Sequence, residues 1–126
     1  MKHDYPARHK HLQQMTARLA RDLRGPMSAF AQLNGAATAP GALDAKTKQL
    51  MALAIGITTH CEGCIVYHLR DAMRAGATRE EILETLGVAI MMGGGPAIVY
   101  ACEALEAMEQ VASSGKEPAS PDVPKR

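Results

Sequence analysis

Tryptophan is missing from this 126-residue chain, phenylalanine occurs once, at Phe30, and tyrosine three times, at Tyr5, Tyr67 and Tyr100. So few rings leave no platform for stacking bases, and a formal net charge of +1 gives no strong positive field, so DNA and RNA are not expected partners. No apolar run approaches the roughly 18 residues that suggest a membrane span, and Met1 to Pro6 lacks the apolar stretch of a secretion signal. A cytoplasmic protein without membrane contact is expected. Three cysteines are too few to staple a fold, and in a reducing compartment a close pair of them points to catalysis or metal binding.

What is present is an ordinary globular composition, 47% hydrophobic and 21% charged, in which Ala, Leu and Met dominate the apolar set. That balance favours helices. Charge is uneven. Residues 1 to 26 carry six Lys/Arg against two Asp, whereas residues 27 to 112 carry five against nine Asp/Glu, as expected of a basic first helix docked on an acidic body.

The expected architecture is all-α, with about six helices in one domain over residues 1–114 and a disordered Pro-rich tail over 115–126. Residues 1 to 8 read as a loose leader that leaves His3, His9 and His11 solvated. Leu12, Met15, Leu19 and Leu23 recur at helical spacing in a first helix from about His9 to Arg24. Pro26 opens a short second helix that Asn34-Gly35 stops, and Ala36 to Gly41 reads as a loop. Asp44 caps a third helix whose core, Leu50 to Ile57, is apolar on every side, so burial all round, and hence oligomerisation, is expected. A fourth helix runs from about Cys61 to Ala75, closed by Gly76. Thr78 and Glu81 form a capping box for a fifth, with Ile82, Leu86 and Ile90 as its stripe. Gly93-Gly94-Gly95-Pro96 then turns a tight corner into a sixth helix, whose apolar stripe of Ile98, Cys102, Leu105 and Met108 makes Cys102 a buried, inert thiol. The triple glycine lacks the Gly-Lys-Ser/Thr ending of a phosphate loop.

The chemistry-bearing segment is His60-Cys61-Glu62-Gly63-Cys64-Ile65-Val66-Tyr67-His68. Cys64 and His68 are four apart on a helix, close enough for the imidazole to take the thiol proton, and the helix start further favours a thiolate. Cys61 and Cys64, three apart, can close a disulfide. Attack by Cys64 on a peroxide would give a sulfenic acid that Cys61 condenses with, while attack on a disulfide would give a mixed disulfide. Haem attachment is excluded because Ile65, not His, follows Cys64. Zinc on Cys61, Cys64, His68 and a fourth ligand such as His60, or an inert cluster, are the alternatives to the preferred redox centre.

Together with Leu43-Asp44-Ala45-Lys46-Thr47-Lys48, the run from Leu50 to Ile57, Ala75-Gly76-Ala77-Thr78-Arg79-Glu80-Glu81-Ile82 and Met92-Gly93-Gly94-Gly95-Pro96-Ala97, this segment resembles the carboxymuconolactone decarboxylase superfamily, in its alkylhydroperoxidase D-like branch. The resemblance implies a helical fold assembling as a homotrimer or homohexamer. It also implies a thiol peroxidase or disulfide reductase in which Cys64 is peroxidatic, Cys61 resolves and His68 relays the proton. The family's relay glutamate is matched here by Gln49, which can orient His68 but cannot accept its proton. No cofactor is expected; the substrate would be a hydroperoxide or disulfide, and an external dithiol would supply electrons. A decarboxylase acting on a small lactone acid and a metal-binding or structural oligomeric module are the alternative functions.

Overall fold

The computed structural model describes residues 2–114, which form six helices and no strand. The expected tail over 115–126 lies outside the described residues. Helix α1 spans Tyr5–Asp22, α2 Arg24–Thr38, α3 Ala45–Thr58, α4 Glu62–Arg74, α5 Arg79–Gly93 and α6 Gly95–Ser114.

Helices α3 to α6 make the body, with α3 packed most extensively on α4 and then on α5. Leu53 and Ile57 of α3, Ile65 and Leu69 of α4, and Ile82 of α5 are sealed at its centre. Two acceptors visible in the sequence start these helices. Asp44 Oδ1 accepts from Thr47 N at 2.7 Å, and Thr78 and Glu81 exchange side-chain and backbone hydrogen bonds as a full capping box. At the expected corner, Gly94 takes a φ of 71°. A Cβ on Gly93 would stand 2.7 Å from that of Ala97 and 3.3 Å from Thr58 Cγ2, so the ends of α3 and α5 meet the start of α6 only because no side chain intervenes.

Several expectations fail. The expected loose leader is replaced from Tyr5 onward by the first turn of α1. Asp4 caps α1 by accepting from Ala7 N at 3.0 Å, Pro6 sits in the first turn, and Tyr5 is 2% exposed with its N–H donated to Gln110 Oε1 at 2.8 Å. Gln110 also donates to His3 O, at 2.6 Å, so the chain's front end is held on α6. His9 is accordingly buried rather than solvated. The break after α1 falls at Leu23, and α2 runs through Asn34-Gly35 to Thr38, whose hydroxyl donates to Asn34 O. On α3, Met51 and Ile55 face outward in the single chain, so the burial all round expected of this helix would need a partner subunit. In α6 the buried face is Ala97, Ala101, Ala104, Ala107, Met108 and Val111, which leaves Cys102 exposed instead of inert in the core. Small alanines let α6 approach its neighbours closely, and that shape outweighed the larger apolar residues on the other face.

Helices α1 and α2 form a hairpin standing beside the body. Only Tyr5 and His9 of α1 are buried, and no residue of α2 is. Its apolar residues, including Leu12, Phe30 and Leu33, remain exposed.

Candidate active site

The two sulfurs sit where α3 turns into α4. His60 adopts a φ of 58° at this turn, with its ring stacked on Tyr100 at a centroid distance of 4.8 Å. Cys61 is the N-cap residue of α4 rather than part of it: its N–H donates to Gly56 O at 3.0 Å, and its Sγ accepts from Cys64 N at 3.2 Å. Cys61 and Cys64 are joined by a disulfide across a Cα–Cα separation of 5.2 Å. Gly56 permits this placement, because a Cβ there would stand 3.3 Å from Cys64 Cβ. A larger residue would hold α3 and α4 apart at the point where the sulfurs meet.

One helical turn beyond Cys64, His68 is fixed from behind. Its Nδ1 lies 2.8 Å from Oε1 of Gln49 on α3, a residue only 9% exposed. The glutamine oxygen can only accept, so Nδ1 carries the proton and Nε2 is left as the basic nitrogen. Burial pushes the His68 pKa below its ordinary 6.5, against the opposing pull of Asp71. His68 is therefore neutral near pH 7 and able to receive a proton. Burial also raises the Asp71 carboxyl, against the lowering effects of Arg74, His68 and Arg70. Among the described residues, no three His, Cys, Asp or Glu side chains form a metal-ligand group.

Cys61, Cys64 and His68 lie along one side of a groove of about 680 Å³ whose other side is the α1–α2 hairpin. Leu12, Ala17, Ala20, Met27, Phe30 and Ala31 make that side mostly apolar. The hairpin is pinned by Arg8, 3.0 Å from Glu62 at the start of α4, and by the close approach of Leu12 to Gly63, where a Cβ would lie 2.7 Å from Leu12 Cδ2. All four candidate residues, Cys61, Cys64, His68 and Gln49, thus converge. Sequence reading missed two groove residues, His9 and Tyr67. Their rings stand 6.0 Å apart, and Tyr67 is in turn edge-on to His68 at 5.2 Å. Nothing local in the sequence marks His9, which reaches the groove because Tyr5, Arg8 and Leu12 hold α1 against the body.

The carboxymuconolactone decarboxylase family profile matches residues 26–107. An uncharacterized protein of Cupriavidus necator is 44% identical over 79 residues, covering 63% of this chain and 70% of its own length. A crystal structure of a carboxymuconolactone decarboxylase family protein from Legionella pneumophila superposes with a TM-score of 0.81 at 44% identity, covering 84% of this chain and 95% of that one. A family protein from Thermotoga maritima, suggested to take part in an antioxidative response, superposes with a TM-score of 0.71 at 31% identity over 84% of this chain and 97% of its own.

Proposed function

The chain belongs to the carboxymuconolactone decarboxylase family, and we propose that within it the protein is a thiol-dependent antioxidant oxidoreductase that reduces organic hydroperoxides or disulfides. The observation that carries this reading is the Cys61–Cys64 disulfide beside an open, largely apolar groove, with His68 one turn away. In the reduced protein His68 takes the Cys64 thiol proton, and the thiolate attacks the terminal peroxide oxygen. The O–O bond breaks, Cys64 becomes a sulfenic acid, and the departing alkoxide takes up the proton. Cys61 then attacks the sulfenic sulfur, giving the disulfide and water. An external dithiol, of the kind a reducing cytoplasm supplies, restores both thiols. Gln49 orients His68 without receiving its proton, so disulfide exchange is favoured over fast peroxide turnover.

The outward apolar residues Met51 and Ile55 of α3, Met91 and Met92 of α5, and Ile98 and Val99 of α6 support assembly as a homotrimer or homohexamer.

The test is to treat reduced protein with cumene hydroperoxide, follow thiol loss and map linkages by mass spectrometry. Cys64→Ser should abolish peroxide consumption, and Cys61→Ser should stop at a sulfenic acid that dimedone traps. Full peroxide consumption by Cys64→Ser would overturn the assignment.

A further inference from the structure

The corner that delivers Cys61 turns on an unusual residue. Among the described residues, His60 is the one non-glycine with a positive φ, 58°, a backbone region where glycine sits freely and a residue with a Cβ is strained; the other positive values belong to Gly76 and Gly94. Two backbone bonds close the end of α3 around it. His60 N–H donates to Ile57 O at 3.2 Å and Cys61 N–H to Gly56 O at 3.0 Å, the pairing that ordinarily places glycine at the left-handed position. A histidine here gives up conformational ease, and its ring supplies what glycine lacks. It lies flat on Tyr100 of α6, with centroids 4.8 Å apart and planes inclined by 6°, and Tyr100 is itself partly buried against the core. The stack therefore ties the α3–α4 corner to a third helix, one residue before the first sulfur. Strain kept beside reacting groups points to a use for the geometry.

We propose that His60 is a positioning residue for the thiol chemistry: stacked on Tyr100, it holds Cys61 within bonding distance of Cys64 while the disulfide is open. This role rests on reading the pair as redox-active. Cys64 lies inside α4 and is placed by the helix itself, whereas Cys61 precedes α4 as its N-cap. With the S–S bond cut, the direction in which the chain leaves α3 toward Cys61 is set by the two backbone bonds and the dihedral at His60, and the stack keeps that dihedral from relaxing. A thiol held in place acts at a higher effective concentration. In the resolving step Cys61 attacks the Cys64 sulfenic sulfur; the S–S bond forms, the S–O bond breaks, and hydroxide leaves with the Cys61 proton as water. The same advantage makes the closed pair harder to reduce. Two glutathione thiols must open a ring that readily shuts again, giving the dithiol and oxidised glutathione.

The test equilibrates each folded protein with reduced and oxidised glutathione and reads the ratio of Cys61–Cys64 dithiol to disulfide. His60→Ala and Tyr100→Leu each remove the stack and should shift that ratio about 3-fold to 10-fold toward the dithiol, the scale of one aromatic pair. The double variant should shift it no further, because both changes remove the same contact. His60→Phe and Tyr100→Phe keep two stacked rings and should stay near wild type. A corner that served only the fold would lower the melting temperature and leave the ratio unchanged, which would overturn the role, as would an equal shift in His60→Ala and His60→Phe. If Tyr100→Leu does not fold, the substitutions at His60, an exposed position, decide alone. A wild type that ignores cumene hydroperoxide would overturn the peroxide reading, while the glutathione ratios still judge His60.

Discussion

Nδ1 of His68 and Oε1 of Gln49 are 2.8 Å apart across the α3–α4 contact, and this one hydrogen bond fixes which imidazole nitrogen is free to meet Cys64. A carboxylate at position 49 would hold the same geometry and also raise the basicity of the ring. Gln49→Glu is expected to speed hydroperoxide-driven thiol loss by about 10-fold or more, toward the contribution of a well-tuned general base, with the fold and assembly retained. Gln49→Leu would leave Nδ1 without a partner and is expected to cost about 1–3 kcal/mol in denaturant unfolding. An unchanged peroxide rate in Gln49→Glu would show the missing carboxylate to be irrelevant.

Stability should depend on pH through the two groove histidines. Both His9 and His68 have folded pKa values below the ordinary 6.5, burial being the first cause for each. Below 6.5 the unfolded chain takes up protons that the folded chain resists. Their contribution is therefore complete above that value and declines as pH falls toward the folded pKa values. The melting temperature should drop between about pH 7.5 and 5.5, and the double variant His9→Gln with His68→Gln should flatten that slope.

Cys61 also caps α4, a duty that is expected to survive reduction. Its sulfur accepts from Cys64 N at 3.2 Å in the position where a serine hydroxyl ordinarily caps a helix. Compared under reducing conditions, Cys61→Ser should match wild type in unfolding free energy, while Cys61→Ala should lose about 1 kcal/mol.

Gly56→Val tests the approach of α3 to α4. The nearest non-helix atoms to a Cβ there are Cys64 Cβ at 3.3 Å and Ile65 N at 3.5 Å. Forcing the helices apart should cost about 1–3 kcal/mol, and slower disulfide closure after oxidation should accompany it.

The legible parts of the fold were those written in contiguous residues. The Thr78–Glu81 box, the Asp44 cap, the glycine corner and the spacing of Cys61, Cys64 and His68 depend on local geometry, and each appears where its spacing puts it. Position 49 was legible only through a family resemblance, because its partner lies 19 residues away on another helix. Much of what could not be read was decided at long range. The leader carries local helix signals in the Asp4 cap and Pro6, but its seat on the body is set by a bond between Tyr5 and Gln110, 105 residues apart. The face of α6 was misassigned because periodicity weighs residue size, whereas close packing selected the alanines. His9 followed from the first of these and was hidden with it.

The Tyr5–Gln110 bond acts as a latch. The α1–α2 hairpin buries only Tyr5 and His9 of α1 and nothing of α2, so its hold on the groove is concentrated at the amino-terminal end. Trimming Asp4 and Tyr5 would release this clasp and slacken the roof over two cysteines more than fifty positions downstream. The two cysteines would then stand in a shallower, wetter trough while their own helix remained intact.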